Sequence, residues 1–159
     1  MNIQTLLTLA QRVIRWIETA QPIAQLAARL YVAQAFFLSG LTKLRNWDST
    51  LALFQEEYHV PVLPPEIAAV AGTAGELVLP VLVAFGLAGR FAAAGLSVVN
   101  VIAVLSLAEI AAPALQQHVF WGSLLVGLVL WGPGRWSLDR FIVPWLQAPA
   151  QRAGYTHPA

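Results

Sequence analysis

Apolar residues come in long blocks along this chain, and charges and prolines separate the blocks. They run over about 23–41, 65–87, 91–112 and 114–131. Each approaches the roughly 20 residues that an α-helix needs to cross about 30 Å of hydrocarbon, so the pattern predicts four spans. The fourth opens on the most polar stretch, Gln116, Gln117 and His118. Backbone groups cannot go unpaired in lipid, which makes the spans helices, and short connections at 86–90 and at Pro113 make successive spans antiparallel neighbours. Ahead of the first block, Ile3, Leu6, Leu7, Ala10, Val13, Ile14 and Ile17 recur at helical spacing, with Gln4, Thr8, Gln11, Arg12, Arg15 and Glu18 opposite. This predicts an amphipathic helix closed by Gln21-Pro22 and lying on the membrane surface, although the same stripe would also pack against a partner subunit. A shorter stripe, Leu138, Phe141, Ile142, Trp145 and Leu146, follows the fourth span. The expected fold is all-α: an integral membrane four-helix bundle with a short C-terminal amphipathic helix, the domain spanning 22–142, preceded by an N-terminal interfacial helix over 1–21 and followed by a C-terminal tail over 143–159.

Composition agrees with lipid as the solvent. With 58% hydrophobic and 11% charged residues there is too little polar surface to coat a water-soluble globule, where about a quarter of residues are charged. The N-terminus lacks the basic start, uninterrupted apolar core and small-residue cleavage site of a signal peptide. A net charge of +1 without a basic stripe gives no footprint for nucleic acid. The absence of cysteine excludes disulfides, thiolate metal ligands and a dithiol relay.

Cations set the orientation. Arg12, Arg15, Arg90, Arg135, Arg140 and Arg152 fall on one side of a four-span chain, and only Lys43 and Arg45, beside Asp48, Glu56 and Glu57, fall on the other. The positive-inside bias then puts both termini in the cytoplasm and makes "FFLSGLTKLRNW" an exit on the outer side.

Polar residues at membrane depth carry the candidate chemistry. Arg29, Ala33, Phe36, Gly40 and Lys43 form one helical stripe, and Glu76 sits near the middle of the second block on a face narrowed by Gly72, Thr73 and Pro80. Counted in from the block ends, Arg29 and Glu76 reach similar depth, which predicts an ion pair, since an isolated charge there costs at least about 2.5 to 3.5 kcal/mol. Asn100 falls at similar depth and is expected to hydrogen-bond into the same polar pocket, with Lys43 at its edge. Such a group either fixes helix register or lines a functional pocket. Gly72, Gly75, Gly95 and Ala103 are expected to be close-packing surfaces. On the outer side His59, His118 and Glu109 are residue types that can hold a ligand, but their spacing is not that of a metal site, and none is assigned. No nucleophile elbow, metalloprotease helix, flavin, haem or iron-sulfur motif is present, so catalytic residues stay unassigned.

Arg29 followed by "FFLSGLTKL", then "GELVLPVLVAFGLAGR" with Glu76 and Arg90, then "GPGRWSLDRF" over 132–141, resembles the DoxX family of small four-span bacterial membrane proteins. The resemblance covers about 25–142 and implies an inner-membrane four-helix bundle. "WDSTLALFQEEYHVP" further resembles DoxX-like proteins encoded beside small secreted metal-associated peptides and their modifying enzymes. The family takes its name from a thiosulfate:quinone oxidoreductase subunit, and many members have no established reaction. Its basic and acidic membrane positions match Arg29, Lys43 and Glu76, and its terminal turn matches Gly132, Gly134, Ser137 and Asp139. The turn also has a local account, in which glycines release the chain and Ser137 or a neighbour caps the next helix.

Two functions follow as expectations. One is a membrane subunit of a redox-related complex whose polar pocket holds a quinone or another small apolar ligand, with a protein partner or second copy beside it. The other is a non-enzymatic scaffold or carrier that serves the metal-associated peptides or their modifying enzymes.

Overall fold

A computed structural model describes residues 2–153, and within them the chain is helical, without strands. The helices are α1 (Ile3–Arg45), α2 (Trp47–Glu56), α3 (Pro65–Phe85), α4 (Gly89–Leu105), α5 (Ala112–Trp131) and α6 (Asp139–Ala153). The end of the C-terminal tail, 154–159, lies outside the described residues. Helices α3 and α5 are each long and apolar enough to cross a membrane, and α4 is apolar but shorter.

The long helices pack side by side, α1 against α3 and α5, α3 against α4, and α4 against α5. Their shared core is Val32 and Phe36 of α1, Val83 of α3, Ala92, Ala93 and Leu96 of α4, and Leu125 and Leu128 of α5. The opposite faces of α3, α4 and α5 expose Val70, Val78, Phe91, Val98, Val119 and Val126. Water does not stabilise so continuous an apolar exterior.

Two boundaries differ from the sequence expectation. Gln21-Pro22 does not close a helix: α1 runs from Ile3 to Arg45 with Pro22 inside it. A proline in a helix interior removes one backbone hydrogen bond and crowds the carbonyl four residues back, yet α1 continues through Pro22. The helix of the third apolar block, α4, ends at Leu105, earlier than the block itself, and Leu107 in the 106–111 connection makes an isolated antiparallel bridge with Tyr58.

Close approach sets the register of α1 on α3. A Cβ on Gly40 would come within 2.9 Å of Leu77 and 3.1 Å of Glu76, so the two backbones meet at that level. Among the small residues, Gly75 abuts Val99 and Gly95 abuts Leu79, as close-packing surfaces should, whereas Gly72 and Ala103 line a cavity.

Candidate functional site

Helix side chains lean toward their own N-terminus. Lys43, near the C-terminal end of α1, therefore reaches back along the helix, and Glu76, on the antiparallel α3, reaches toward it from the other direction. They meet: Lys43 Nζ donates to both Glu76 Oε1 and Oε2 at 2.5 Å. The carboxylate is the more buried partner, with side-chain exposures of 7% for Glu76 and 19% for Lys43. A third, longer bond of 3.4 Å runs from Lys43 Nζ to Ser39 Oγ.

Helix α2 covers this pair. The Asn46 side chain accepts from Ser49 N at 3.3 Å to cap it, and Thr50 Oγ1 ties it to α1 by donating to Lys43 O at 3.0 Å. Its buried Phe54 packs on Ala68 and Ala69 and meets Tyr58 edge-on, ring centroids 5.0 Å apart. Past α2 the chain is pinned across the bundle, with His59 N donating to Ser106 O at 2.8 Å. Beneath this roof lies a cavity of about 300 Å³. Its polar lining is Ser39, Lys43, Glu76, Tyr58, Ser106 and His118, and most of the remainder is apolar, including Phe54, Leu63, Val99 and Ile102. Burial pushes the Tyr58 phenol above its ordinary value, with the charges of Glu76 and Glu57 adding to the effect, so Tyr58 presents a neutral hydroxyl.

Asn100 and His118 form a second polar pair on neighbouring helices. Asn100 Nδ2 donates to His118 O at 3.0 Å, and His118 Nδ1 lies 2.8 Å from Asn100 Oδ1. The imidazole also stands edge-on to Trp121, centroids 5.1 Å apart.

Arg29 serves the opposite end of the molecule. Three turns of helix, about 16 Å, separate it from the level of Gly40, and its own lean carries it further away. Its Nη1 donates to Pro133 O and its Nη2 to Trp136 O, both at 2.6 Å. The guanidinium lies against Gly86, which has φ +66° and where a Cβ would come within 2.5 Å of Arg29 Nη1. Asp139 completes the clasp: its carboxylate accepts from Ala88 N and Gly89 N at 2.7 Å, capping the start of α4. Phe85 O and Gly86 O accept in turn from Leu138 N and Asp139 N.

The DoxX family model matches residues 24–109, more than half of the chain. The chain belongs to the DoxX family. No curated protein and no solved structure matches it. Membership makes this a membrane protein, in keeping with the apolar α3 and α5.

In this DoxX protein the expected pair of Arg29 with Glu76 is not formed. Lys43 is the partner of Glu76, and Arg29 binds backbone carbonyls of the 132–138 segment. Helix α1 extends past both ends of its apolar block, so the block ends do not mark which turns of α1 and α3 face each other. Asn100 likewise joins His118 rather than Arg29. Of the outer-side set, His118 lines the cavity, while exposed His59 turns its Nδ1 to Glu57 O at 3.2 Å and Glu109 is exposed elsewhere. Among the described residues no three His, Asp or Glu side chains gather as a metal site would require. In the terminal turn, Ser137 Oγ donates to Gly134 O at 2.8 Å instead of capping the helix that follows, and its neighbour Asp139 caps α4 across the turn. The sequence pattern does not mark Tyr58 and Ser106 as cavity residues. Their signal was weak, since each lies in a connection that only the fold brings over Glu76.

Proposed function

We propose that this protein is a four-span bundle of the bacterial inner membrane that binds a small apolar molecule with a polar head, a quinone above all, as a non-catalytic subunit of a redox-related complex. The spans in this reading are the second half of α1 and helices α3, α4 and α5, with both termini cytoplasmic and the amphipathic first half of α1 on the inner side. The carrying observation is the Lys43–Glu76 pair lining an otherwise largely apolar cavity of about 300 Å³. Ligand sites combine an apolar wall with a few convergent polar groups, and an ionisable pair at membrane depth is costly to keep without a use.

Purification in mild detergent followed by solvent extraction tests the reading. The wild-type protein is expected to retain quinone and to bind added decylubiquinone with quenching of tryptophan fluorescence. The double variant Lys43→Met with Glu76→Leu should fold and do neither. Equal retention by both proteins would overturn the assignment of the cavity. A stoichiometric protein partner retained with no quinone would favour the scaffold or carrier instead. For topology, reporter fusions at the C-terminus and within 57–63 should report opposite sides, cytoplasmic for the former, and an external C-terminus would reverse the map.

A further inference from the structure

His118 occupies the cavity wall in a defined protonation geometry, and that geometry speaks to which redox form of the ligand fits. An asparagine side chain has one end that donates and one that accepts. Here the donating end of Asn100 is fixed by His118 O, an acceptor that cannot serve the carbonyl end, so Oδ1 is the atom facing the ring. Oδ1 has no hydrogen to give, so the 2.8 Å contact requires the proton on His118 Nδ1. The neutral ring then offers Nε2 as a bare acceptor. Edge-on packing against Trp121 holds the ring plane from another side.

The other polar station has the opposite character. Lys43 Nζ gives two bonds to Glu76 and only a long one of 3.4 Å to Ser39, leaving donor capacity that a ligand oxygen can take. The wall thus combines an acceptor at His118 with a donor at Lys43. A fully oxidised quinone has two carbonyl oxygens and nothing to give Nε2, so its oxygen would face the nitrogen lone pair. A quinol can accept from Lys43 through one oxygen and donate O–H to Nε2 through the other.

We infer that the cavity selects the hydroxyl-bearing form of its ligand, a quinol or a related phenol, with His118 Nε2 as the hydrogen-bond acceptor and Asn100 as the residue that fixes its tautomer. This rests on the cavity binding a quinone-class molecule at all. One net hydrogen bond of about 1 kcal/mol corresponds to roughly a fivefold preference for quinol over quinone.

The test is anaerobic titration of the purified protein in detergent with decylubiquinol and with decylubiquinone. The wild-type protein should bind the quinol about fivefold tighter. In His118→Phe the ratio of the two affinities should fall to about one, and in Asn100→Leu it should fall as well, because the ring is then free to exchange tautomers. Should either variant fold poorly, ¹⁵N spectra of histidine-labelled wild-type protein decide: Nδ1 of His118 should be protonated and Nε2 not, with Nε2 shifting on addition of quinol. A protonated Nε2, or equal affinity of the wild-type protein for both forms, overturns the inference and leaves the cavity assignment standing. Failure of the wild-type protein to bind either form overturns both.

Discussion

Replacing Glu76 with leucine is expected to lower the thermal stability of the detergent-solubilised protein sharply, and replacing Lys43 with methionine in the same chain to recover much of the loss. Glu76 supplies both oxygens that the Lys43 ammonium binds. Without it a charge is left facing Phe54, Val99 and Ile102 across the cavity. Removing one partner of a fully buried pair costs about 3 to 5 kcal/mol. The 19% exposure of the Lys43 side chain lets its flexible stem swing the ammonium outward, which places this pair at about the lower end of that range. In the double variant no charge is stranded and apolar groups fill similar volume, so the two changes must be far from additive. Unfolding of the wild-type, the two single and the double proteins gives the coupling directly. Simple additivity would show that the ion pair contributes nothing to the fold.

The second large effect is expected at the other end of the molecule. Arg29→Met removes two charge-assisted hydrogen bonds to Pro133 O and Trp136 O. Bonds to charged groups contribute about 1.5 to 3 kcal/mol each, so the loss should reach about 3 kcal/mol. Lysine should not rescue it, because a single ammonium cannot reproduce a planar fork that reaches two carbonyls at once. Beyond a lower melting temperature, the variant should show faster hydrogen exchange and proteolysis across 132–138, the segment those bonds hold. Quinone retention should be unaffected, since the cavity lies on the far side of Gly40. Unchanged protection of 132–138 would refute the clasp. Combining Arg29→Met with Glu76→Leu should give additive losses, as expected for residues that do not touch.

Much of this was legible because helical periodicity is a local property. The stripe Arg29, Ala33, Phe36 and Gly40 is the buried face of α1, and Thr73, Glu76 and Pro80 share the buried face of α3. What periodicity cannot supply is the relative height of two helices. That depends on where backbones come closest, here at Gly40, and a slide of three turns changes every partner. The lean of side chains toward the helix N-terminus was available in advance and favours Lys43 over Arg29 as the partner of an acid on the next, antiparallel helix. Helix α2 escaped for a different reason. It is too short and too polar to stand out among apolar blocks, although Asn46 at its cap, Asp48 in its first turn and buried Thr50 and Phe54 at helical spacing mark it. His118 was visible only as a lone histidine, because its partner Asn100 sits on another helix and nothing local connects the two.

The clasp at Arg29 also bears on how the protein is made. Its two carbonyl acceptors lie 104 and 107 residues further along the chain. A ribosome emits them well after α1 has left the exit tunnel, so in the four-span topology proposed above the nascent helix enters the bilayer with a guanidinium that has no final partner. Until α5 is in place, that charge must stay at the lipid headgroups or be shielded by the insertion machinery. Chains truncated before Pro133 should therefore persist as targets for membrane quality-control proteases, and chains that extend past Asp139 should escape them.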